Sequence, residues 1–218
     1  LAHEIKNPLT PIQLTIDRLK NKYSNEVDEK NKENFKENLK IINNQIRQIE
    51  KLVNEFSDFA RMSKPIFQKN DLVILIKDNI KLLQELDQTI KIDFIYNDKQ
   101  LFFDGDREQL SRVILNLIKN SIESIQQKNE NISYFKKNIT IELTNFDSHI
   151  SLIINDNGIG FKNLNNNIKE ILNPYFTTKK EGTGLGLSIV NKIINDHNGN
   201  IEFISKVDGA IINIKFKK

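Results

Sequence analysis

Near the start of the chain a histidine and a carboxylate stand side by side, His3 and Glu4, and Asn7 follows one helical turn after the histidine. Such a pair is a candidate for nucleophilic or acid–base work. Further along, Asn116 and Asn120 are four residues apart in an apolar helical pattern. Side-chain amide oxygens suit Mg2+, a hard cation that keeps several waters and shares phosphate oxygens. Asp156-Asn157-Gly158-Ile159-Gly160 follows the apolar run Leu152-Ile153-Ile154. A carboxylate at a strand end can accept a hydrogen bond from an adenine amino group, and glycines let the backbone approach a flat ring; an ordinary turn would use the same residue types. Asn173-Pro174-Tyr175-Phe176-Thr177-Thr178-Lys179 and Gly182-Thr183-Gly184-Leu185-Gly186-Leu187 sit just ahead of a helical pattern. Glycines at a helix N-terminus expose N–H groups aligned with the helix dipole, a cradle for phosphate. The run lacks the Gly-Lys-Ser/Thr ending of a phosphate loop and does not follow a strand as a dinucleotide fingerprint does. Residues 161–182 would form a lid, with Lys179 or Lys180 able to reach a terminal phosphate.

The elements that must position these groups follow from apolar spacing. Ile5, Leu9, Ile12, Ile16, Leu19 and Tyr23 alternate steps of four and three, and so do Phe35, Leu39, Ile42, Ile46, Ile49, Val53, Phe56 and Ala60. Each set is one narrow stripe on a helix. The polar stretch 24–34 fits a turn, so residues 1–62 are expected to form an antiparallel helical hairpin. Its seam leaves apolar surface uncovered, and pairing two hairpins into a four-helix bundle predicts a homodimer. His3 and Asn7 lie off the stripe on an exposed face. Ser63-Lys64-Pro65 ends the second helix. Residues 63–70 are expected as a linker and 71–218 as a second domain.

In that domain Asp71 can cap a short helix through Ile76, Ile80 and Leu83. Strands are expected at 90–96, 101–103, 139–146, 150–156, 200–205 and 210–217. Helices are expected from Asp106 through Ile125 and over 187–197, the latter stopped by Asn198-Gly199. Short strand-to-strand connections require antiparallel neighbours. The expected fold class is α+β: a helical hairpin, then an α/β sandwich with a mixed sheet under one helical layer. Asn165-Asn166-Asn167 suggests a mobile loop.

Composition narrows the function. With 218 residues, 38% hydrophobic, two unequal domains with real cores are expected. The net charge is +3, but the lysines are scattered and only five residues are Arg, so neither nucleic acid nor a membrane surface is expected as a partner. The absence of Cys excludes disulfides and thiolate metal sites. No apolar run reaches bilayer-spanning length and no signal peptide is present, so the piece is expected to be soluble. The chain opens on Leu1 inside a helix under way, as a fragment of something longer would.

Together, in this order, these motifs resemble those of the bacterial sensor histidine kinases of two-component signalling. His3-Glu4-Ile5-Lys6-Asn7-Pro8 is similar to the phosphoacceptor box, Asn116 to Asn120 to the asparagine box, Asp156 to Gly160 and Gly182 to Gly186 to the two glycine boxes, and Phe176 to the aromatic of the lid box. Pro8-Leu9-Thr10-Pro11-Ile12-Gln13-Leu14, Phe56-Ser57-Asp58-Phe59-Ala60-Arg61-Met62 and Pro174-Tyr175-Phe176-Thr177-Thr178-Lys179 resemble the NtrY-like nitrogen-regulation subgroup.

The resemblance implies ATP as phosphoryl donor and Mg2+ held by Asn120. It implies adenine read by Asp156, and nucleotide contacts from Asn116, Gly158, Gly160, Phe176, Thr178, Lys179, Gly182, Thr183, Gly184, Leu185 and Gly186. His3 would be the phosphorylated residue, Glu4 would orient its ring, and Asn7 would position a water for dephosphorylation of a partner. That partner would be the receiver domain of a response regulator, served by a cytoplasmic fragment of an inner-membrane sensor. Pro8 would free the carbonyl of Glu4 and bend the helix. Two other readings compete. ATP-hydrolysing clamp proteins share the nucleotide fold but need a glutamate where this chain has Asn116. A nucleotide-binding dimeric scaffold without kinase activity would keep the boxes and transfer nothing.

Overall fold

The computed structural model describes the chain except for residues 1, 24–26, 86, 133, 162–167 and 180–181, together with the side chains of residues 2–4, 6, 29, 130 and 131. The side-chain readings for His3 and Glu4, the loop at Asn165-Asn166-Asn167 and the reach of Lys180 therefore lie outside the described residues. The described chain forms two compact units. One comprises Leu1–Met62 with Thr177–Leu185, the other Ser63–Phe176 with Gly186–Lys218.

In the first unit, α1 (Ala2–Tyr23) and α2 (Glu29–Ala60) form the hairpin. Alternate members of the apolar stripe, Leu9 and Ile16 on α1, Leu39 and Ile46 on α2, make a shared core with Phe35 against it. Gln13 Nε2 donates to Asn43 Oδ1 at 3.0 Å, a polar cross-link between the helices. The other members, Ile12, Ile42 and Ile49, stay about half exposed, at 45%, 45% and 46%. Each helix therefore presents two apolar flanks, of which the hairpin covers one. α2 starts six residues before the sequence pattern suggests, because the polar and charged residues 30–34 continue the helix without contributing to the core. Pro8 and Pro11 both lie within α1, and the Thr15 hydroxyl donates to the Pro11 carbonyl at 2.8 Å.

In the second unit, β1 (Gln68–Asp71) pairs antiparallel with β3 (Phe102–Gly105) as a separate two-stranded ribbon. The main sheet has the order β2-β4-β5-β7-β6. Its strands are β2 (Lys91–Tyr96), β4 (Asn138–Asn145), β5 (His149–Asp156), β6 (Gly199–Ser205) and β7 (Ala210–Lys217). Only β2 and β4 run parallel, consistent with the long intervening connection through a helix. Alternation decides which face is covered: Ile139, Ile141 and Leu143, then Ile150, Leu152 and Ile154, then Ile212, Ile214 and Phe216 are all buried.

Onto that face pack α3 (Leu72–Gln84), α4 (Arg107–Asn131) and α5 (Gly186–Asp196). Leu72 and Ile76 of α3 and Leu110, Val113 and Ile114 of α4 meet Leu143, Leu152 and Phe216. Full burial of each such side chain stabilises by roughly 1.5–3 kcal/mol. Both long helices begin on aspartate caps. Asp71 Oδ1 accepts from Val73 N–H at 3.0 Å, and Asp106 Oδ1 accepts from Glu108 and Gln109 N–H, each at 3.0 Å. Beyond α5 the left-handed residue is Asn198, φ 55, rather than the glycine after it. A short 3-10 helix at Ile168–Leu172 buries Ile171 against α5. None of the helices among the described residues is long and apolar enough to cross a membrane.

Candidate active site

Where α4 passes the end of β5, a polar cluster is built into the apolar interior. The α4 face that carries Leu117 and Ile118 to the core leaves Asn116 and Asn120 partly exposed, one turn apart. Ser121, 2% exposed, donates to Asp156 Oδ2 at 3.1 Å. Gly158 N–H donates to Asp156 Oδ1 at 2.9 Å. Asp156 is 4% exposed. Burial pushes its carboxyl above the usual carboxylate range, against the opposing pull of the Gly158 N–H, the Ser121 hydroxyl, an Ala210 backbone donor and the charge of Lys206. Each carboxylate oxygen has further lone pairs, so this group can take another donor.

The glycines next to it keep the backbone close. A Cβ on Gly158 would lie 2.2 Å from Ser124 Oγ and 2.7 Å from the Ser124 carbonyl carbon. Gly160, φ 66, faces Gly209, φ 96, and a Cβ on Gly209 would lie 1.9 Å from the Asp156 carbonyl oxygen. The turn is also tied from its flanks. Asn157 Oδ1 accepts from Asn138 N–H at 3.0 Å, and Lys128 Nζ donates to the Asn157 carbonyl at 2.8 Å while pairing with Asp208. Lys206 Nζ reaches Asn155 Oδ1 at 2.9 Å.

Gly186 opens α5, and a Cβ there would lie 3.6 Å from Asn116 Oδ1. The second unit thus gathers Asn116, Asp156, Gly158, Gly160 and Gly186 around α4. Phe176 is half-buried in the same unit, its N–H on the Asn173 carbonyl at 3.2 Å, after Tyr175 in a left-handed conformation, φ 68.

The remaining glycine-box residues belong to the first unit. There Lys179 N–H donates to Thr177 Oγ1 at 3.1 Å and Gly182 N–H to the Lys179 carbonyl at 3.3 Å, with Thr178 exposed. Thr183 Oγ1 accepts from Leu185 N–H and donates to the carboxylate of Glu55 on α2. Gly184 has φ 72 and Leu185 is fully buried. On α1, Asn7 is exposed. Ser121, Ser124, Lys206 and Gly209 carry no spacing signal in the sequence, although the two serines sit within a turn of Asn120.

The cluster suits a nucleotide with its metal. A buried carboxylate and a Cβ-free turn suit a flat base bearing an amino group, and the α5 N-terminus suits phosphate. Among the described residues no group of three or more His, Cys, Asp or Glu could hold a metal alone. An amide such as Asn120, completed by phosphate oxygens and water, is the donor set Mg2+ accepts.

Residues 1–65 match the His Kinase A (phospho-acceptor) domain, and residues 105–218 match the histidine kinase-, DNA gyrase B- and HSP90-like ATPase family. A sensor histidine kinase of Rickettsia prowazekii named NtrY-like is 40% identical over 99% of this chain and 35% of its own. Nitrogen regulation protein NtrY of Azorhizobium caulinodans is 33% identical over 96% of this chain and 26% of its own. The chain thus spans about a third or less of these curated relatives. Among solved structures, histidine kinase ThkA in complex with response regulator protein TrrA has a TM-score of 0.68 at 28% identity, covering 100% of this chain and 59% of that one. Full-length ShkA in complex with AMPPNP shares the fold, with a TM-score of 0.71 at 18% identity over 99% of this chain and 44% of that one. By both domain matches and by its NtrY-like relatives, this chain belongs to the sensor histidine kinases, a phosphoacceptor domain followed by an ATPase-type domain.

Proposed function

We propose that the chain uses ATP to phosphorylate itself on His3 and passes the phosphoryl group to an aspartate of a response regulator. The observation that carries the nucleotide half is Asp156, a buried carboxylate with lone pairs to spare beside a turn that admits no side chain. Asp156 accepts from the adenine amino group, and Gly158 and Gly160 flank the base. Asn116, Phe176 and Gly186 line the sugar and phosphates. Asn120 would hold Mg2+, which when bound neutralises charge on the phosphates.

His3 forms a bond from a ring nitrogen to the γ-phosphorus as the bond from that phosphorus to the β,γ-bridging oxygen breaks, and ADP leaves with the electron pair. Glu4 orients the ring and takes its proton. Positioning and charge neutralisation carry most of such an acceleration. The receiver aspartate then takes the phosphoryl group and His3 returns to its free form. Incubation with γ-labelled ATP is expected to give acid-labile, alkali-stable label on the wild type and none on His3→Gln. Full labelling of His3→Gln would overturn the assignment, and release of free phosphate alone would favour the ATP-hydrolysing reading.

Two finer parts belong to the same proposal. The exposed flank of Ile12, Ile42 and Ile49 supports a homodimer in which two hairpins make a four-helix bundle. Exposed Asn7, one turn from His3, orients a water against the phosphorylated receiver. Asn7→Ala is expected to lose receiver dephosphorylation and keep His3 labelling; loss of both together would sink that role. In the whole protein this piece would be the cytoplasmic part of an inner-membrane sensor.

A further inference from the structure

His197 closes the end of α5 and is 1% exposed, yet the chemistry above does not use it. Both ring nitrogens are engaged. Nδ1 lies 2.8 Å from the Ile193 carbonyl, and Nε2 lies 2.9 Å from the backbone N–H of Asp106. A carbonyl can only accept and an amide N–H can only donate, so the ring holds its proton on Nδ1 and accepts on Nε2. This neutral tautomer joins the last turn of α5 to the cap of α4. Asp106 is itself shared: its Oδ1 takes the first N–H groups of α4, and its Oδ2 takes Ile66 N–H at 2.9 Å.

The chain that follows α2 converges on the same joint. Gln109 Nε2 donates to the Ser63 carbonyl at 3.1 Å, and the Phe67 ring lies 5.2 Å from the His197 ring. A Cβ on Gly105 would come within 3.0 Å of His197 Cδ2, so the ring is enclosed on that side too. The two helices held here are the ones that carry the proposed nucleotide groups, Asn116 and Asn120 on α4 and Gly186 on α5. Helices are stiff rods, so a slip at this joint displaces Asn116 against Gly186.

We propose that His197 is a positioning residue for nucleotide, fixing the register of α4 against α5, and that Ser63, Ile66 and Phe67 form a strap through which the chain after α2 loads that joint. The proposal rests on the reading of the second unit as the ATP site. It is tested in the full chain with His197→Phe, which keeps a ring and removes the acceptor, His197→Gln, which returns an acceptor, and Phe67→Ala, which cuts the strap at a half-exposed residue.

Thermal unfolding, ATP affinity and the steady-state KM and kcat of autophosphorylation are measured well below each Tm. His197→Phe is expected to raise KM for ATP about tenfold with kcat changed much less, the scale of one lost hydrogen bond, and His197→Gln to recover most of it. Phe67→Ala is expected to raise KM about threefold with Tm nearly unchanged, a smaller effect since only an aromatic contact is lost. A fall in Tm for His197→Phe with KM unchanged would overturn the proposal, as would failure of His197→Gln to restore KM. Should His197→Phe not fold, Phe67→Ala carries the test: a raised KM with Tm nearly unchanged supports the joint, and an unchanged KM overturns it. Absence of ATP binding by the wild type would instead sink the nucleotide reading on which the proposal stands.

Discussion

The Ser121 hydroxyl donates to Asp156 Oδ2 across the α4–β5 contact at 3.1 Å, deep enough that neither side chain meets bulk water. The carboxylate it supports is kept against the preference of its surroundings, since burial favours the neutral acid. A group whose folded pKa is raised binds its proton more tightly in the folded than in the unfolded state. Ionised Asp156 therefore costs stability at neutral pH, and that cost is relieved as pH falls through its folded pKa towards the ordinary aspartate value.

Asp156→Asn should separate this cost from the role proposed for the group. The amide keeps an oxygen for Gly158 N–H and can donate to Ser121. Stability at pH 7 is expected to hold or rise in chemical denaturation, with the gain over the wild type shrinking as pH falls towards the ordinary aspartate value. ATP affinity is expected to drop by at least tenfold, the scale of an acceptor replaced by a donor against an amino group. Unchanged ATP affinity would remove Asp156 from the site.

Gly158→Ala tests the closeness of the turn to α4. The added Cβ meets both Ser124 Oγ and the Ser124 carbonyl carbon, so trimming the side chain relieves only part of the clash. Gly158→Ala is expected to cost about 1–3 kcal/mol, as overpacking does. Adding Ser124→Ala should recover less than half, because the backbone contact remains; full rescue in denaturation would show that the hydroxyl alone sets the fit.

How much of this was legible in the sequence differs by element. The hairpin stripe and the strands of the main sheet were readable because alternation and heptad spacing report directly on which face is buried, as with Leu39 and Ile46 or Ile139, Ile141 and Leu143. The ribbon strand β1 was not, since Gln68-Lys69-Asn70-Asp71 is polar throughout and is held by pairing with β3, a long-range contact that leaves no local pattern. Asp156 and Gly158 announce themselves as a carboxylate and a glycine after an apolar run. Gly209 does not, because only the register that sets Asp156 opposite Ala210 brings it onto the turn. His197 is equally silent: it looked like the last residue of a helix, and its role depends on a partner 91 positions away.

The two flanks of the hairpin should respond differently to substitution. Ile46 lies in the core shared by α1 and α2, so Ile46→Ala is expected to cost about 2–5 kcal/mol by the usual cavity penalty. Ile42, half exposed in the single chain, should matter through the second copy. Ile42→Glu is expected to shift sedimentation from dimer towards monomer and to remove the dependence of Tm on protein concentration. A dimer that survives Ile42→Glu and Ile49→Glu together would place the interface elsewhere.

Asp106 offers a pH test on the joint at α4. Burial alone would raise its carboxyl, but the N–H groups of Ile66, Gln109 and Glu108 outweigh it and hold it below the ordinary value. For a depressed carboxyl the sign is the reverse of Asp156: its stabilisation is fully present above the unfolded pKa and is lost as pH falls through the folded one. Asp106→Ala is therefore expected to cost about 1–2 kcal/mol at pH 7, the range for losing an N-cap, and much less in strong acid, where the wild type has already surrendered the charge. Asp106→Asn should fall between, since its amide oxygen still caps α4 while its nitrogen cannot accept from Ile66. Denaturation curves for the three proteins across the acid range decide the point: a penalty for Asp106→Ala that stays constant with pH would mean that the cap works without its charge.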